Sequence, residues 1–336
     1  MNNYRVAIYG AGAMGTVLGA YITRAGRQID LITRNVAHVT ALKNGGAHIV
    51  GTVDFTVPVS ALTPEEMTGK YDVIFLMTKQ RNNDEICRFL SDYLSEDGVV
   101  CTLQNGLPEP SVASVIGSER TLGCVVSWGA TFIGEGTAEL TSAENALAFT
   151  LGSGGVACDK VSAVESLLKC MGKVEISTNF LGARWAKLAI NSTFSSISAI
   201  SGLTFGEVAK GKVTRRLALD LLNEAFSAAE ACGVKMDEIQ GHDIVKLFGH
   251  KSGFRRVIAL RILPLAIRKH KKLISGMYFD LKAGRKCDID FINGIIAHGA
   301  KNFGVEVPIN KKILVIAHKI ENGEMQVSPE NINLLV

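Results

Sequence analysis

The chain has 336 residues, enough for two domains, and 47% of them are hydrophobic, as in a folded globular protein. A formal net charge of +4 gives no reason to expect a nucleic-acid partner, and no apolar run approaches the roughly twenty residues of a membrane span. Seven widely spaced cysteines, with no C-x-x-C pair and no pattern with histidine, read as reduced thiols of a cytoplasmic protein, and no secretory segment is expected before the first strand.

The first element is an apolar strand, Tyr4 to Tyr9, which runs into Gly10-Ala11-Gly12-Ala13-Met14-Gly15. A helix-patterned stretch follows and stops at Gly26, and a second strand, Gln28 to Arg34, closes a unit of about thirty residues, the length of strand, helix, strand. Gly10 permits a tight turn, Gly12 lets backbone approach a pyrophosphate, and Gly15 lets the helix pack on the sheet. The N–H groups of Ala13, Met14 and Gly15 then face the anion. A G-x-G-x-x-G match alone is weak evidence; its place after a strand and before a helix makes it a dinucleotide site of the Rossmann type. An enzyme preferring NAD carries Asp or Glu at the end of the second strand. Here the end is Thr33-Arg34-Asn35, a guanidinium with no carboxylate, while Asp30 comes too early. The cofactor reading is NADPH; the alternative leaves Arg34 as a solvated strand-end charge.

Further along, 36–44 reads as a helix, 47–58 as a strand and its exit, and 71–79 as a buried strand. A helix over 85–94 precedes a strand over 98–106, and this alternation indicates a parallel sheet. The glycine-spaced β-rich stretch 121–152 is expected to add antiparallel strands to it. Helix 162–171 and strand 173–177 complete a first domain, 1–180, and beyond Phe180 the pattern is helical to the end. The expected fold is α/β: an N-terminal parallel sheet followed by an all-α domain, 181–336. Ligands of open parallel sheets sit beyond the carboxyl ends of the strands, which singles out Lys79 and Asn105 with the glycine turn and Arg34. Lys79 reads equally as a loop cation, and Asn105-Gly106 as a plain turn.

In the helical half, Lys187, Asn191 and Ser195 recur every four residues and so form one polar stripe on an otherwise apolar helix. Such groups are costly to bury, so the stripe should line a cavity; a solvated face is the plainer alternative. If 280–295 is helical, Leu281, Asp288, Ile292 and Ile295 share one side, and Asp288 interrupts an apolar stripe. A carboxylate there needs a cation, Lys187 or another base. From Lys246 to Lys272 there are nine Lys or Arg and no acid. Pro264 is expected to break that segment into a helical pair. It reads as a packed surface element, a homodimer contact, a wall of the substrate pocket or, last, an interfacial patch.

Taken together, the glycine turn, Gln104-Asn105-Gly106, Trp185 to Asn191, Asp280 to Gly294 and the tail His298 to Asn310 resemble the ketopantoate reductases over nearly the whole chain. The resemblance implies NADPH-dependent reduction of ketopantoate to pantoate. It places Lys187 at the catalytic lysine, Asn191 at a substrate-holding asparagine, Asn105 at the asparagine near both nicotinamide and substrate, Ser275 near the serine for the substrate carboxylate, and Arg34 and Lys79 at the 2′-phosphate end of the cofactor. Three positions depart from the pattern: Asp288 stands for a glutamate, Ser195 for a second asparagine, and Phe279 for a glutamine. The stretch 249–272 resembles an insertion. A reductase for another 2-oxo acid and a non-catalytic NADPH-binding sensor are the alternatives.

Overall fold

Four consecutive apolar residues make β1 (Val6–Tyr9), buried along its whole length because both sheet faces are covered, Val6 and Ile8 lying in one apolar cluster and Ala7 and Tyr9 in another. The computed structural model describes residues 4–239, 241–249 and 253–336. They divide into two compact units, Met1–Gln104 with Pro108–Phe180, and Asn105–Leu107 with Leu181–Val336.

In the first unit the strands after β1 are β2 (Asp30–Ile32), β3 (Ala47–Gly51), β4 (Phe55–Val57), β5 (Ser60–Leu62), β6 (Tyr71–Leu76) and β7 (Leu94–Thr102). Then come β8 (Thr121–Val126), β9 (Ala130–Gly134), β10 (Thr137–Leu140), β11 (Ala148–Gly152) and β12 (Lys173–Ser177). The main sheet has eight strands in the order β12-β11-β8-β7-β6-β1-β2-β5. All of its pairs are parallel except β8 with β11. The chain moves from β1 to β2 on one side and later to β6 on the other, so the turn after β1 sits where the strand order reverses.

The helices of this unit are α1 (Ala13–Arg24), α2 (Val36–Gly45), α3 (Asn83–Ser91), α4 (Glu109–Ile116) and α5 (Cys158–Leu168). Two strand expectations change. The 47–58 stretch is an antiparallel hairpin, β3–β4, and β9 and β10 join it in a separate four-stranded sheet, β4-β3-β10-β9. Only β11 adds to the main sheet antiparallel, since β8 pairs parallel with β7. The reason lies in α1, which is buried from Gly15 through Ile22. A helix apolar all round needs cover on both sides. The main sheet covers one face, and β3, β4, β9 and β10 cover the other.

The second unit is helical: α6 (Phe180–Ile190, its first residue in the first unit), a π turn (Asn191–Ser195), α7 (Ser196–Ser201), α8 (Phe205–Lys210) and α9 (Lys212–Ala231). There follow α10 (Ile244–Phe248), α11 (Gly253–Ala266), α12 (Gly276–Lys282), α13 (Asn293–Asn302) and α14 (Pro308–Glu321). The long α9 supplies Leu217, Leu221, Leu222 and Ala225 to the core, and α13 and α14 pack on it.

The helix expected over 280–295 is not continuous. Gly284 at φ +65° stops α12 in a left-handed cap, and a 3-10 turn over Ile289–Phe291 intervenes before α13. Pro264, by contrast, lies inside α11. It falls in the last turn, where its missing N–H forfeits one hydrogen bond and the helix ends two residues later. Ala259 and Leu263 of α11 are buried, while Phe254, Val257, Ile258 and Leu265 are exposed. No helix among the described residues is long and apolar enough to cross a membrane.

Candidate active site

The three glycines of the first turn differ in what surrounds them. At Gly10, φ is +106°, and a Cβ would stand 2.6 Å from the Thr78 backbone nitrogen. At Gly15 a Cβ would lie 2.6 Å from the Gly10 carbonyl oxygen, so a side chain would push α1 off the turn. Around Gly12 a Cβ would meet no protein atom within 4 Å, and the residue is exposed. Two are therefore closed by the fold, and the third faces open space. The turn is pinned to β2, because the N–H groups of Gly10 and Ala11 both donate to the Ile32 carbonyl at 2.9 Å. Thr16 N–H makes a bond to the Gly12 carbonyl at 2.9 Å, which leaves the N–H groups of Ala13, Met14 and Gly15 ahead of the helical ladder. That arrangement accepts an anion.

Arg34 is exposed just beyond β2, and its charge opposes the rise that burial imposes on the Tyr9 hydroxyl. Asp30 is held at the other end of the strand, accepting hydrogen bonds from Ser60 Oγ at 2.6 Å and the Tyr71 hydroxyl at 2.8 Å. Lys79 is exposed after β6, and Asn105 is exposed beyond β7 beside Gly106, whose φ is +80°.

Sequence reasoning singled out Gln104 beside Asn105 but passed over two polar groups that shape these ends, Asn83 and His38. Gln104 and Asn83 exchange amide hydrogen bonds of 3.1 and 2.7 Å. Gln104 also accepts from Thr102 Oγ1 and donates to Thr78 Oγ1, which ties the ends of β6 and β7 to α3. The second is His38, buried behind the glycine turn. Its Nδ1 accepts from Gly136 N–H at 2.9 Å, so the proton of the neutral ring sits on Nε2 and is donated to Thr16 Oγ1 at 3.0 Å. Burial lowers its pKa, with Glu135 opposing weakly. The stability that His38 lends is thus complete above its ordinary value of 6.5 and is lost as pH falls through its lowered folded value. The wild-type melting temperature should fall more between pH 7 and pH 5 than that of His38→Gln, as calorimetry at the two pH values will read.

In the second unit, α6, the π turn and α7 form a nearly buried rod, from Gly182 to Ser201, on which Lys187, Ile190, Asn191 and Ser195 are the half-buried positions. The polar stripe is therefore the open edge of a central helix. Four α-helical residues advance 400°, overshooting a turn by about 40°. The wider π turn takes up that drift between Asn191 and Ser195, so all three side chains stay on one face.

Asp288 is half-buried and immediately precedes the 3-10 turn. Ser275 is buried and caps α12, its Oγ accepting from Met277 N–H at 3.2 Å. Phe279 is exposed and meets the Tyr278 ring edge-on.

A separate shallow groove of about 250 Å³ lies beside α4, where Gly123 and Gly152 form a floor under the Phe180 ring. It contains none of the expected site residues.

Residues 6–153 match the family model described as Ketopantoate reductase PanE/ApbA, and residues 179–321 match its C-terminal counterpart. A curated relative from Pyrococcus horikoshii, named 2-dehydropantoate 2-reductase, is 26% identical over 308 residues, covering 91% of this chain and 94% of that one. A PanE/ApbA family ketopantoate reductase from Ralstonia eutropha JMP134 superposes with a TM-score of 0.79 at 24% identity, covering 95% of this chain and 99% of that chain. A D-mandelate dehydrogenase solved with NADH and anilino(oxo)acetate gives 0.81 at 20% identity, with the same coverage. The two structural likenesses show a shared fold.

Proposed function

The chain belongs to the ketopantoate reductase PanE/ApbA family, and from that premise we propose that it uses NADPH to reduce the 2-oxo acid ketopantoate to pantoate. It is an oxidoreductase acting on a C=O/CH–OH couple. The observation that carries the reading is the half-buried line of Lys187, Asn191 and Ser195 on an otherwise buried helix, in a chain whose glycine turn is open at Gly12.

A dinucleotide fits the residues of that turn: the space at Gly12 admits a pyrophosphate, and the leading amides of α1 are its donors. NADPH held there would supply the hydride that the carbonyl carbon of the substrate takes up. Lys187 donates a hydrogen bond to the carbonyl oxygen and gives up the proton as charge grows on it, a general-acid role worth roughly a hundred- to ten-thousand-fold. Asn191 and Ser195 orient the substrate from the same face, and Asn105 holds it from the end of β7. Asp288 accepts from a substrate hydroxyl, and the Ser275 hydroxyl proton is available to the substrate carboxylate. Arg34 and Lys79 meet the 2′-phosphate.

Arg34→Ala should therefore weaken NADPH by about tenfold or more while leaving NADH nearly unchanged, since only the former carries the phosphate that the guanidinium pairs with. Fluorescence titration with both cofactors tests this, and equal losses would return Arg34 to a solvated charge.

Asp288, Ser195 and Phe279 favour a second reading, a reductase for a different 2-oxo acid, because two of the three changed positions, Asp288 and Ser195, lie at the substrate end while the cofactor end keeps its pattern. NADPH oxidation by purified protein, with ketopantoate beside a panel of 2-oxo acids, decides between them. Bound NADPH with no turnover of any would leave a sensor. A homodimer through the helical region is proposed in the same terms, supported by the exposed Phe254 and Leu265 of α11, with sedimentation equilibrium as its measurement.

A further inference from the structure

We propose that Asn293 is a positioning residue for this reaction: it holds the π turn of Asn191–Ser195 in the shape that keeps the substrate-facing side chains in line with Lys187. The inference rests on the function proposed above.

A π turn leaves the backbone with a carbonyl to place. In an α-helix the Ser196 N–H would donate to the Ser192 carbonyl; here it reaches the Asn191 carbonyl instead, five residues back. The Ser192 carbonyl is buried, and a buried acceptor must find another donor. Two side chains supply it. The Ser196 hydroxyl donates from within the helix, and Asn293 Nδ2 donates from the start of α13 at 3.0 Å. The Asn293 bond comes from another element and so fixes the turn in space.

The direction of that bond is dictated from further away. Glu224 on α9 accepts from the backbone N–H groups of Ile309 and Asn310, both at 2.9 Å, and from Asn310 Nδ2 at 2.8 Å. A carboxylate that already takes three donors leaves Asn310 no choice of amide orientation. Its nitrogen faces Glu224, and its Oδ1 faces Asn293, which donates to it at 2.9 Å. Asn293 must then present its nitrogen to both Asn310 and Ser192; flipped, its oxygen would face two acceptors. From the partly buried Glu224 on α9, two fully buried amides, Asn310 and Asn293, thus carry the hydrogen-bond chain through the first turns of α14 and α13 to the π turn. It matters for function because the π turn removes the drift that an α-helix would introduce between Asn191 and Ser195.

The test uses Asn293→Asp, which keeps the shape and removes the donor, with Asn310→Ala as the second variant should the first not fold. Hydrogen exchange of 191–197 is expected to accelerate by about tenfold while α9 stays protected. Ketopantoate kcat/KM should fall by about 100-fold, the cost of a small misplacement of the groups around the reacting centre. The NADPH Kd should stay within about twofold, and in an Asn191→Ala/Ser195→Ala background the same change should cost less than about threefold, because it acts through those two residues. Unchanged kcat/KM, or a loss that multiplies fully in that background, overturns the proposal. If the wild-type protein turns over no 2-oxo acid, the function reading fails and exchange alone decides. Acceleration confined to 191–197 then sustains the positioning role, and uniform or absent acceleration ends it.

Discussion

Replacing Lys187 by alanine is expected to lower ketopantoate turnover by a factor of roughly 100 to 10,000, while the affinity for NADPH stays close to wild type. The size follows from what the ammonium is asked to do. Without it, the alkoxide that forms as hydride arrives must take its proton from water, with no fixed positive charge beside it. The cofactor should be unaffected, because its turn is built from the other compact unit. Neighbouring positions on α6 are packed, with Trp185, Ala186, Leu188 and Ala189 buried, so shortening a half-buried lysine among them leaves the core intact. Stopped-flow NADPH oxidation beside a binding titration reads both quantities. Turnover that survives the change removes Lys187 from the chemistry.

The second large effect separates two glycines that look alike in the sequence. Gly12→Ala should bind NADPH more weakly by about tenfold or more and lose no more than about 4 °C of melting temperature. Its backbone is extended at φ −85° and its Cβ would touch no protein atom, so the stability cost is confined to alanine being a poorer N-cap than glycine, about 1 kcal/mol or less. The added methyl stands where a pyrophosphate would lie. Gly10→Ala should instead cost roughly 2 kcal/mol or more of stability, since the left-handed backbone and the 2.6 Å approach to Thr78 both penalise a side chain. Calorimetry and cofactor titration on the pair give the answer: equal loss of stability in both would mean that Gly12 is a structural turn residue.

Much of the first unit could be read along the chain because its signals are local. The β1 run, the glycine turn and α1 are contiguous, and the strand-helix alternation after them predicts a parallel main sheet. The second sheet was not legible. Its β3–β10 pairing joins Ala47–Gly51 to Thr137–Leu140, and nothing within either segment names the other. What demands that sheet is α1, whose apolar residues cover its whole circumference rather than one stripe. In the helical half, the spacing of Lys187, Asn191 and Ser195 marked a polar line but assumed a regular helix. The apolar alignment of Asp288 assumed one too, and Gly284 breaks it. Pro264 errs the other way, since a proline near a helix end interrupts little.

The amino-acid sequence by itself determined the backbone needs of the glycine turn, the absence of a carboxylate at the end of β2 and the presence of one lysine with two polar partners at helical spacing. These are properties of neighbouring residues, settled by sterics and charge over a few bonds. Tertiary structure decided which glycine faces open space, the neutral tautomer of His38 and the π turn beneath Asn191. Each of those depends on a partner from a distant segment: Thr78 for Gly10, Gly136 for His38 and Asn293 for Ser192. A buried polar group or an unfilled volume takes its identity from whatever the fold brings to it, and only the folded chain does that.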